Sequence, residues 1–525
     1  MKHFLYLVLL LSLLFPHART LQGQVHEQDS LALVALYNAT GGEGWMTGWG
    51  WIRQNRPVST WSGITTETID GQGLRVTKIK LYNNRMTGQL PEELGDITFL
   101  REIILNSNKI SGPIPDSFRN LIHLENLSLT ENEFSGPLPG FISELEKLEI
   151  IGLGINQFTG SLPSSWSNLK NLRDLYVQNN QLTGELPASW GELSNLENLG
   201  LNSNNFTGPF PAQWGQLSRL KTLYAWDNAI SDTLPGEISG MQSLEILEVS
   251  GNNMEGPLPD SMAKLKNLKE LYLGHNSWGP DFPRAILQMK GLEILYYNGT
   301  GLTSVPPEIV NLVNLKGLSL NHNPIGGTFP GFLTKLTGLE FLYLYNTGLE
   351  GEIPEDLFQL TNLESLALGE NRLTGVVPQG VKQLKNLKEF LVNDNKLTGF
   401  PVLEEGDFPY RPDFRLEGNY FHLDVFENIA NSGYTFTNAQ QRPLPLLADQ
   451  KVKLGDSLKL MPELRGEEVA FQWYKDENPI PGANQPYLEL YNIQPEDAGR
   501  YVLVANLQNI SEAKLKTVPV SVDVE

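Results

Sequence analysis

Cysteine is absent from this 525-residue chain. Its absence excludes disulfide bonds, cysteine-ligated zinc, a thiol nucleophile and a thiol-linked lipid anchor. Long apolar runs are missing too, because the most apolar stretch, Phe4 to Phe15, is too short to span a bilayer. Preceded by Met1-Lys2-His3, that stretch is typical of a secretory signal peptide, which we place at residues 1–24. We expect a mature chain with no transmembrane segment, either secreted or associated with the cell surface.

Basic residues are scarce. The chain has 39 lysines and arginines against 60 aspartates and glutamates, for a formal net charge of −21. A nucleic-acid partner is therefore disfavoured, because binding to a phosphate backbone depends on positive charge. An exported chain without disulfides is more typical of a bacterium than of an animal or plant, so we expect a bacterial source.

What the sequence does contain is an asparagine that recurs almost every 24 residues. Of fifteen such positions, thirteen hold asparagine and two, Thr300 and Thr347, hold threonine. The asparagines are Asn84, Asn108, Asn132, Asn156, Asn180, Asn204, Asn228, Asn252, Asn276, Asn323, Asn371, Asn395 and Asn419. A fixed period of this length is typical of a solenoid in which each repeat contacts only its neighbours.

Each asparagine ends a pattern of leucines, as in Leu124-x-x-Leu127-x-Leu129-x-x-Asn132, which is the signature of a leucine-rich repeat. The alternating leucines predict a short strand with one face buried. The asparagine amide can bond backbone groups that such a strand leaves unpaired. Glycine stands four residues after eleven of the fifteen positions, which predicts a turn with positive φ.

The residues after the asparagine, as in Leu182-Thr-Gly-Glu-Leu-Pro187, resemble the plant-type leucine-rich repeats of receptor-kinase ectodomains and polygalacturonase-inhibiting proteins. The segment from Leu31 to Ile64 resembles that family's N-terminal cap but lacks its cysteines. The cap must then be held by tryptophan packing, through Trp45, Trp49, Trp51 and Trp61. The resemblance implies a leucine-rich repeat solenoid of the α/β horseshoe type, with parallel strands on its concave face and short 3₁₀ or irregular segments on its convex side.

The repeat period ends after Asn419, and short alternating strands are predicted from about Leu446 onward. Asp497-Ala-Gly-Arg-Tyr501 resembles the immunoglobulin D-x-G-x-Y corner, and Trp473 stands where that family has a buried tryptophan. We expect a C-terminal all-β immunoglobulin-like sandwich. The predicted organisation is a signal peptide (1–24), an N-terminal cap (25–75), about fifteen repeats (76–425), a C-terminal cap or linker (426–445) and the sandwich (446–525).

A ligand is expected on the strand face of the repeats, where equivalent positions align in columns. The residue between the two leucines of L-x-L is tyrosine at Tyr176, Tyr224, Tyr272, Tyr296 and Tyr343. Neighbouring columns add Trp226, Asp227, His275, Asn298 and Tyr345. We predict that these residues form a ligand-binding strip, because a monomer seldom leaves many aromatic side chains exposed along one face. For any single tyrosine, high β-propensity alone is an equally good explanation.

Three kinds of function fit such a strip. The first is binding of a protein ligand, as the resemblance to receptor ectodomains implies. The second is binding of an extracellular glycan, whose rings would stack on tyrosine and tryptophan while amides bond its hydroxyls. A surface adhesin or structural scaffold is the third. We favour a protein ligand, by analogy of fold.

An enzymatic role finds little support. The sequence has no H-E-x-x-H motif, no phosphate-cradling glycine-rich loop and no kinase-like region. His275 and His322 share a column but lie two repeats apart, which predicts a separation of roughly 10 Å, too far to share a metal ion. Acidic neighbours such as Asp227 and Glu248 could imitate a glycosidase dyad, but chance pairs are expected in so acidic a chain. We predict no catalysis, no cofactor and no metal site.

Overall fold

The computed structural model describes residues 24–52, 56–437, 440–445, 447–467, 469–508, 510 and 513–525. Residues 1–23, and with them nearly all of the predicted signal peptide, lie outside the described residues, as does the side chain of Trp49. The chain divides into two units, Met1–Leu244 and Glu245–Glu525. Neither α-helix in the described part of the chain has the length and apolar composition needed to cross a membrane.

The first unit begins with helix α1 (Glu27–Ala39) and an antiparallel pair of strands, Ile64–Ile69 and Gly73–Lys80. A buried ion pair joins them, because the Arg75 guanidinium donates to both Asp29 carboxylate oxygens at 2.7 and 2.9 Å. Three of the four tryptophans named in the sequence pack together in this part of the chain. The ring of Trp51 lies 4.9 Å from that of Trp45 and 4.8 Å from that of Trp61, and all three side chains are buried.

Short parallel strands follow in the first unit, one for each repeat, and we call them ladder strands. They are Glu102–Ile104, Asn126–Ser128, Ile150–Gly152, Asp174–Tyr176, Asn198–Gly200 and Thr222–Tyr224. Each pairs in register with the strand one repeat away, so residues 24 apart stand side by side, as Leu175 does with Leu199. A second set, the outer strands, follows the asparagines: Thr87–Gln89, Lys109–Gly112, Glu133–Pro137, Gln157–Gly160, Gln181–Glu185, Asn205–Pro209 and Ala229–Asp232.

The second unit continues the pattern. Its ladder strands are Ile246–Glu248, Glu270–Tyr272, Ile294–Tyr296, Gly317–Ser319, Phe341–Tyr343, Ser365–Ala367, Glu389–Leu391, Asp413–Arg415 and Thr435–Thr437. The parallel ladder thus extends one strand beyond the last repeat asparagine, with helix α2 (Leu423–Asn431) between the final two strands. Its outer strands are Asn253–Met254, Glu350–Glu352, Arg372–Val376 and Lys396–Gly399.

Short 3₁₀ helices precede most of the ladder strands in both units, and others lie near the start of the first unit and in the C-terminal region. In the first unit they are Gly42–Gly44, Gly48–Gly50, Val58–Thr60, Glu92–Asp96, Asp116–Asn120, Gly140–Glu144, Ser164–Asn168, Ala188–Glu192, Ala212–Gln216 and Gly236–Gly240. In the second they are Asp260–Lys264, Ile286–Gln288, Pro307–Asn311, Gly331–Lys335, Glu355–Gln359, Gln379–Gln383 and Pro495–Asp497. Trp190 shows how they add to the core. Its buried ring stacks at 6.2 Å on Trp166 and 6.3 Å on Trp214, and its Nε1 donates to Pro163 O.

The repeat asparagines pair buried backbone groups, as predicted. Asn204 donates through Nδ2 to Val177 O at 3.1 Å and to Leu201 O at 3.0 Å, and its Oδ1 accepts from Leu182 N–H at 3.1 Å. That last bond reaches the outer strand of the preceding repeat, so Asn204 links three segments of backbone. Ten of the eleven turn glycines have the predicted positive φ, such as 82° at Gly184, and Gly399 is the exception.

The outer sheet is interrupted in the second unit. The described residues between Met254 and Glu350 form no outer strand. The exchange of asparagine for threonine supplies a reason, because a threonine lacks the amide oxygen that accepts an N–H from the preceding repeat. The Thr300 hydroxyl lies 3.2 Å from Tyr297 O in its own repeat and 3.1 Å from Asn323 Oδ1 in the next, and Thr347 is placed alike. In the repeat before Thr347, Ile325 N–H bonds locally to Asn323 O. An open groove of about 1100 Å³ beside Trp278, Phe282 and Arg284 occupies the interruption.

The C-terminal region of the second unit consists of two β-sheets. One contains Gln450–Val452, Val469–Lys475, Asn478–Pro479, Gly499–Leu507, Lys514–Lys516 and Val520–Val524, and the other pairs Leu458–Leu460 with Leu488–Leu490. Trp473, Tyr501 and Leu503 are buried in the core of this region. Backbone contacts tie it to the end of the repeats, because Asp424 N–H in α2 donates to Arg465 O at 3.2 Å and Leu444 pairs with Thr517.

Candidate ligand-binding face

Strand alternation turns the predicted tyrosines away from the core. In Glu270–Tyr272 and the residue after it, Leu271 and Leu273 are fully buried, while Tyr272 between them is half-buried. The same alternation applies to each ladder strand, because successive side chains point to opposite faces. The column between the leucines therefore lies on the outer surface of the ladder, which we call the ladder face.

Four of the predicted site residues lie in the first unit. Tyr176, Tyr224 and Trp226 are half-buried and Asp227 is exposed. Gly200 pairs with Tyr176 on one side and Tyr224 on the other, and a Cβ on that glycine would stand 3.0 Å from Tyr176 Cδ1. The Tyr176 ring therefore covers the glycine. Burial and the nearby Asp174 raise the pKa of the Tyr176 phenol, which stays protonated as a hydrogen-bond donor.

The other six predicted residues lie in the second unit, where the structure brings three tyrosines into one row. The ring of Tyr272 is 5.1 Å from that of Tyr296, edge to face, and Tyr296 is 6.4 Å from Tyr343 across Ser319. Edge-to-face pairs at these distances are favourable. Burial raises the pKa of the Tyr296 phenol, and the Tyr272 hydroxyl donates to Glu270 Oε2 at 2.8 Å.

A second row runs beside the tyrosines. His275 is exposed, with Nε2 2.9 Å from Asn298 Nδ2, and its ring centre lies 6.3 Å from that of His322. The separation of roughly 10 Å expected from the repeat spacing is therefore wrong, because the side chains lean toward each other across Gly299. The row continues to Tyr345, whose ring lies 5.4 Å from His322.

Carboxylates border both rows. Glu248 stands beside Tyr272 in register, and burial together with the neighbouring Glu270 raises its pKa to about 7. Near Tyr345, burial and a hydrogen bond with Glu370 raise the pKa of the phenol to about 12, and Glu417 contributes. Burial also raises the pKa of Glu417, whose Oε2 is buried with no hydrogen-bond partner among the described residues.

Sequence reasoning missed part of this arrangement. Glu270 was not among the predicted residues, although it lies two residues before Tyr272 on the same strand and therefore on the same face. Glu248, named from the sequence only in a chance acidic pair with Asp227, occupies the tyrosine column itself, and burial together with Glu270 one repeat away raises its pKa. A search of the columns for carboxylates beside tyrosines would have found both.

Comparison with known proteins agrees with the geometry. A leucine rich repeat model matches residues 218–278, and a single-repeat model matches 99–121, 171–193, 314–336 and 338–360. The chain is similar to a leucine-rich repeat protein of Leptospira interrogans at 32% identity and a TM-score of 0.59, over 67% of this chain and 88% of that one. The chain belongs to the leucine-rich repeat family. No match was found among curated proteins.

Plant receptor ectodomains are also similar. The PEPR1–AtPEP1 crystal structure matches with 28% identity and a TM-score of 0.63, over 82% of this chain and 60% of that one. The ectodomain of the receptor kinase GASSHO1/SCHENGEN3 from Arabidopsis thaliana, solved with CASPARIAN STRIP INTEGRITY FACTOR 2, matches with 25% identity and a TM-score of 0.61. That match covers 81% of this chain and 56% of the ectodomain, so the chain spans less than two thirds of either relative.

Proposed function

We propose that this chain is a non-enzymatic extracellular recognition protein that binds a protein ligand through the ladder face. The observation that carries the proposal is the row Tyr272, Tyr296 and Tyr343, three half-buried rings in edge contact on one surface. Tyrosine is enriched in protein interfaces because it buries a large area and loses little side-chain entropy. The second unit is the better candidate because its aromatic rows are continuous.

The charges of the face indicate what the ligand should contain. In the second unit the carboxylates of Glu248, Glu270, Glu370 and Glu417 border the aromatic rows. Burial and like-charge repulsion from Glu270 raise the pKa of Glu248, and a nearby cationic group would offset both by stabilising the ionised carboxylate. A lysine or arginine of the ligand could also stack on a tyrosine ring. We therefore propose a polypeptide with basic residues.

Similar proteins support a peptide-like ligand. The ectodomain of GASSHO1/SCHENGEN3 was solved in complex with CASPARIAN STRIP INTEGRITY FACTOR 2, and PEPR1 was solved with AtPEP1. The remaining predicted residues, Tyr176, Tyr224, Trp226 and Asp227, provide a further surface of similar composition in the first unit. We propose that they contribute to binding as well.

A selection from a displayed random-peptide library tests this function. We expect enriched peptides to carry lysine or arginine, and to bind Tyr272→Ser and Tyr296→Ser variants at least tenfold more weakly. The matched control is Tyr491→Ser, which removes a tyrosine that is 70% exposed in the C-terminal region. Peptides that bind all variants equally would contradict the proposal. Binding on a glycan array that is lost in the same two variants would instead favour the carbohydrate alternative.

We also propose that the C-terminal region is an immunoglobulin-like sandwich that begins near residue 446. Two features support this. Trp473 is fully buried, and the Tyr501 hydroxyl donates to Asp497 O at 2.7 Å, as a tyrosine corner requires. Export by the N-terminal signal and a bacterial source remain proposals too. The relative from Leptospira interrogans supports the latter, and peptide mass analysis of the mature N-terminus would test the former.

A further inference from the structure

We propose that His275 and His322 together bind one divalent transition-metal ion, Zn²⁺ or Cu²⁺, with water completing its coordination. The inference begins from the 6.3 Å between their ring centres. Two imidazoles that share a tetrahedral ion through bonds of roughly 2.0–2.1 Å have ring centres about 5 Å apart. Both side chains are exposed and free of core packing, so a small rotation of each closes the difference.

Gly299 makes the approach possible. It occupies the repeat between the two histidines in their column, at a φ of 61°. A Cβ at that position would stand 2.9 Å from His275 Nδ1 and 3.2 Å from Cε1 of the same ring. Any other residue would therefore push the His275 ring away. The glycine leaves an open space over the backbone into which His275 Nδ1 projects.

An asparagine amide lies within hydrogen-bond distance of one nitrogen of each histidine ring, and the opposite nitrogen remains available for a metal ion. Asn298 Nδ2 lies 2.9 Å from His275 Nε2, and Asn346 Nδ2 lies 3.0 Å from His322 Nδ1. Rotating either amide by half a turn places its oxygen there to accept the ring N–H. That bond fixes the tautomer whose opposite nitrogen has a lone pair, at His275 Nδ1 and His322 Nε2. Metal-binding histidines commonly have such a hydrogen-bonded partner.

The ligand set determines which ions fit. Within the described residues, no group of three or more histidine, aspartate or glutamate side chains is placed to hold a metal ion. Two imidazoles and water suit Cu²⁺ and Zn²⁺ and disfavour Ca²⁺ and Mg²⁺, which prefer oxygen ligands. This metal site lies in the second row of the proposed ligand-binding face, and it requires only the two histidines and their asparagine partners.

Isothermal titration of the full chain with CuCl₂ or ZnCl₂ tests the proposal. We expect a site of one ion per chain that His275→Ala, His322→Ala and the double substitution each weaken at least tenfold. His123→Ala is the matched control, because that histidine lies in the first unit beside Lys147. Thermal melting of each variant without metal confirms that it is folded.

Cu²⁺ electron paramagnetic resonance supplies a second test. Two coordinated imidazole nitrogens are expected in the wild-type spectrum, and one in each single variant. Titrations in which the double variant binds as the wild type does would overturn the proposal. So would two independent ions, one lost with each substitution, because the histidines would then act separately.

Discussion

Replacing Asn204 by leucine tests the link between the repeat asparagine and the fold. The side chain is 9% exposed and bonds Val177 O, Leu201 O and Leu182 N–H. Leucine has similar volume but no hydrogen-bonding group, so the substitution removes these bonds and leaves little empty space.

The expected loss of stability follows from which hydrogen bonds each backbone partner of Asn204 keeps after the substitution. Val177 O still accepts from Asn180 at 3.0 Å, and Leu201 O still accepts from Asn228 at 3.2 Å. Leu182 N–H has no comparable second bond to an asparagine. A buried donor left without its acceptor costs about 1–3 kcal/mol, and we expect the free energy of unfolding to fall by that amount.

Urea denaturation and amide hydrogen exchange measure the two parts of this effect. We expect a lower denaturation midpoint and faster exchange of the Leu182 amide. The control is Asn171→Leu, which removes an exposed asparagine bonded only to Glu146 O and should cost less than about 0.5 kcal/mol. Equal stability of Asn204→Leu and the control, with unchanged exchange at Leu182, would refute the reasoning.

Three further substitutions test other parts of the account. The pKa of Glu248 is about 7 in the folded chain, against 4.5 for a free carboxyl. As pH rises, this carboxyl therefore ionises in the unfolded state before it ionises in the folded state. Stability is then lost between pH 4.5 and 7. Because Glu248 is only partly buried, solvent screening reduces the effect, and melting should show E248Q gaining about 1–3 kcal/mol over wild type from pH 4 to 8. Trp190→Ala should lower the urea-derived stability by about 3–5 kcal/mol, through loss of a stacked, buried ring. Tyr501→Phe should lower it by about 0.5–1.5 kcal/mol, through loss of the bond to Asp497. A stability difference between E248Q and wild type that does not change with pH would contradict the first expectation. An unchanged urea midpoint in Trp190→Ala or Tyr501→Phe would contradict the other two.

The ladder strands could be predicted from the sequence because a single residue type, asparagine, makes the same backbone bonds at a nearly constant spacing. An asparagine such as Asn204 bonds backbone in its own and the preceding repeat, so the period of the asparagines reports the period of the strands directly. The exchange of asparagine for threonine at Thr300 and Thr347 is equally visible in the sequence, but the interruption of the outer strands that accompanies it is not. The missing acceptor for the preceding repeat becomes clear only once the partner of each oxygen is known.

The candidate ligand-binding face was less predictable, because its geometry depends on the orientation of individual side chains. The column of Tyr272, Tyr296 and Tyr343 follows from strand alternation. The proximity of His275 to His322 does not, because it requires both rings to tilt over Gly299. The raised pKa of Glu248 likewise depends on burial and on the charge of Glu270 in the adjacent repeat.

Hydroxyl-radical footprinting of the chain with a selected basic peptide tests the central claim most directly. We expect the peptide to protect Tyr272, Tyr296 and Tyr343 from oxidation and to leave the exposed ring of Tyr491 reactive. Protection confined to the 3₁₀ helices or to the C-terminal sheets, with the three tyrosines as reactive as in the free chain, would contradict it.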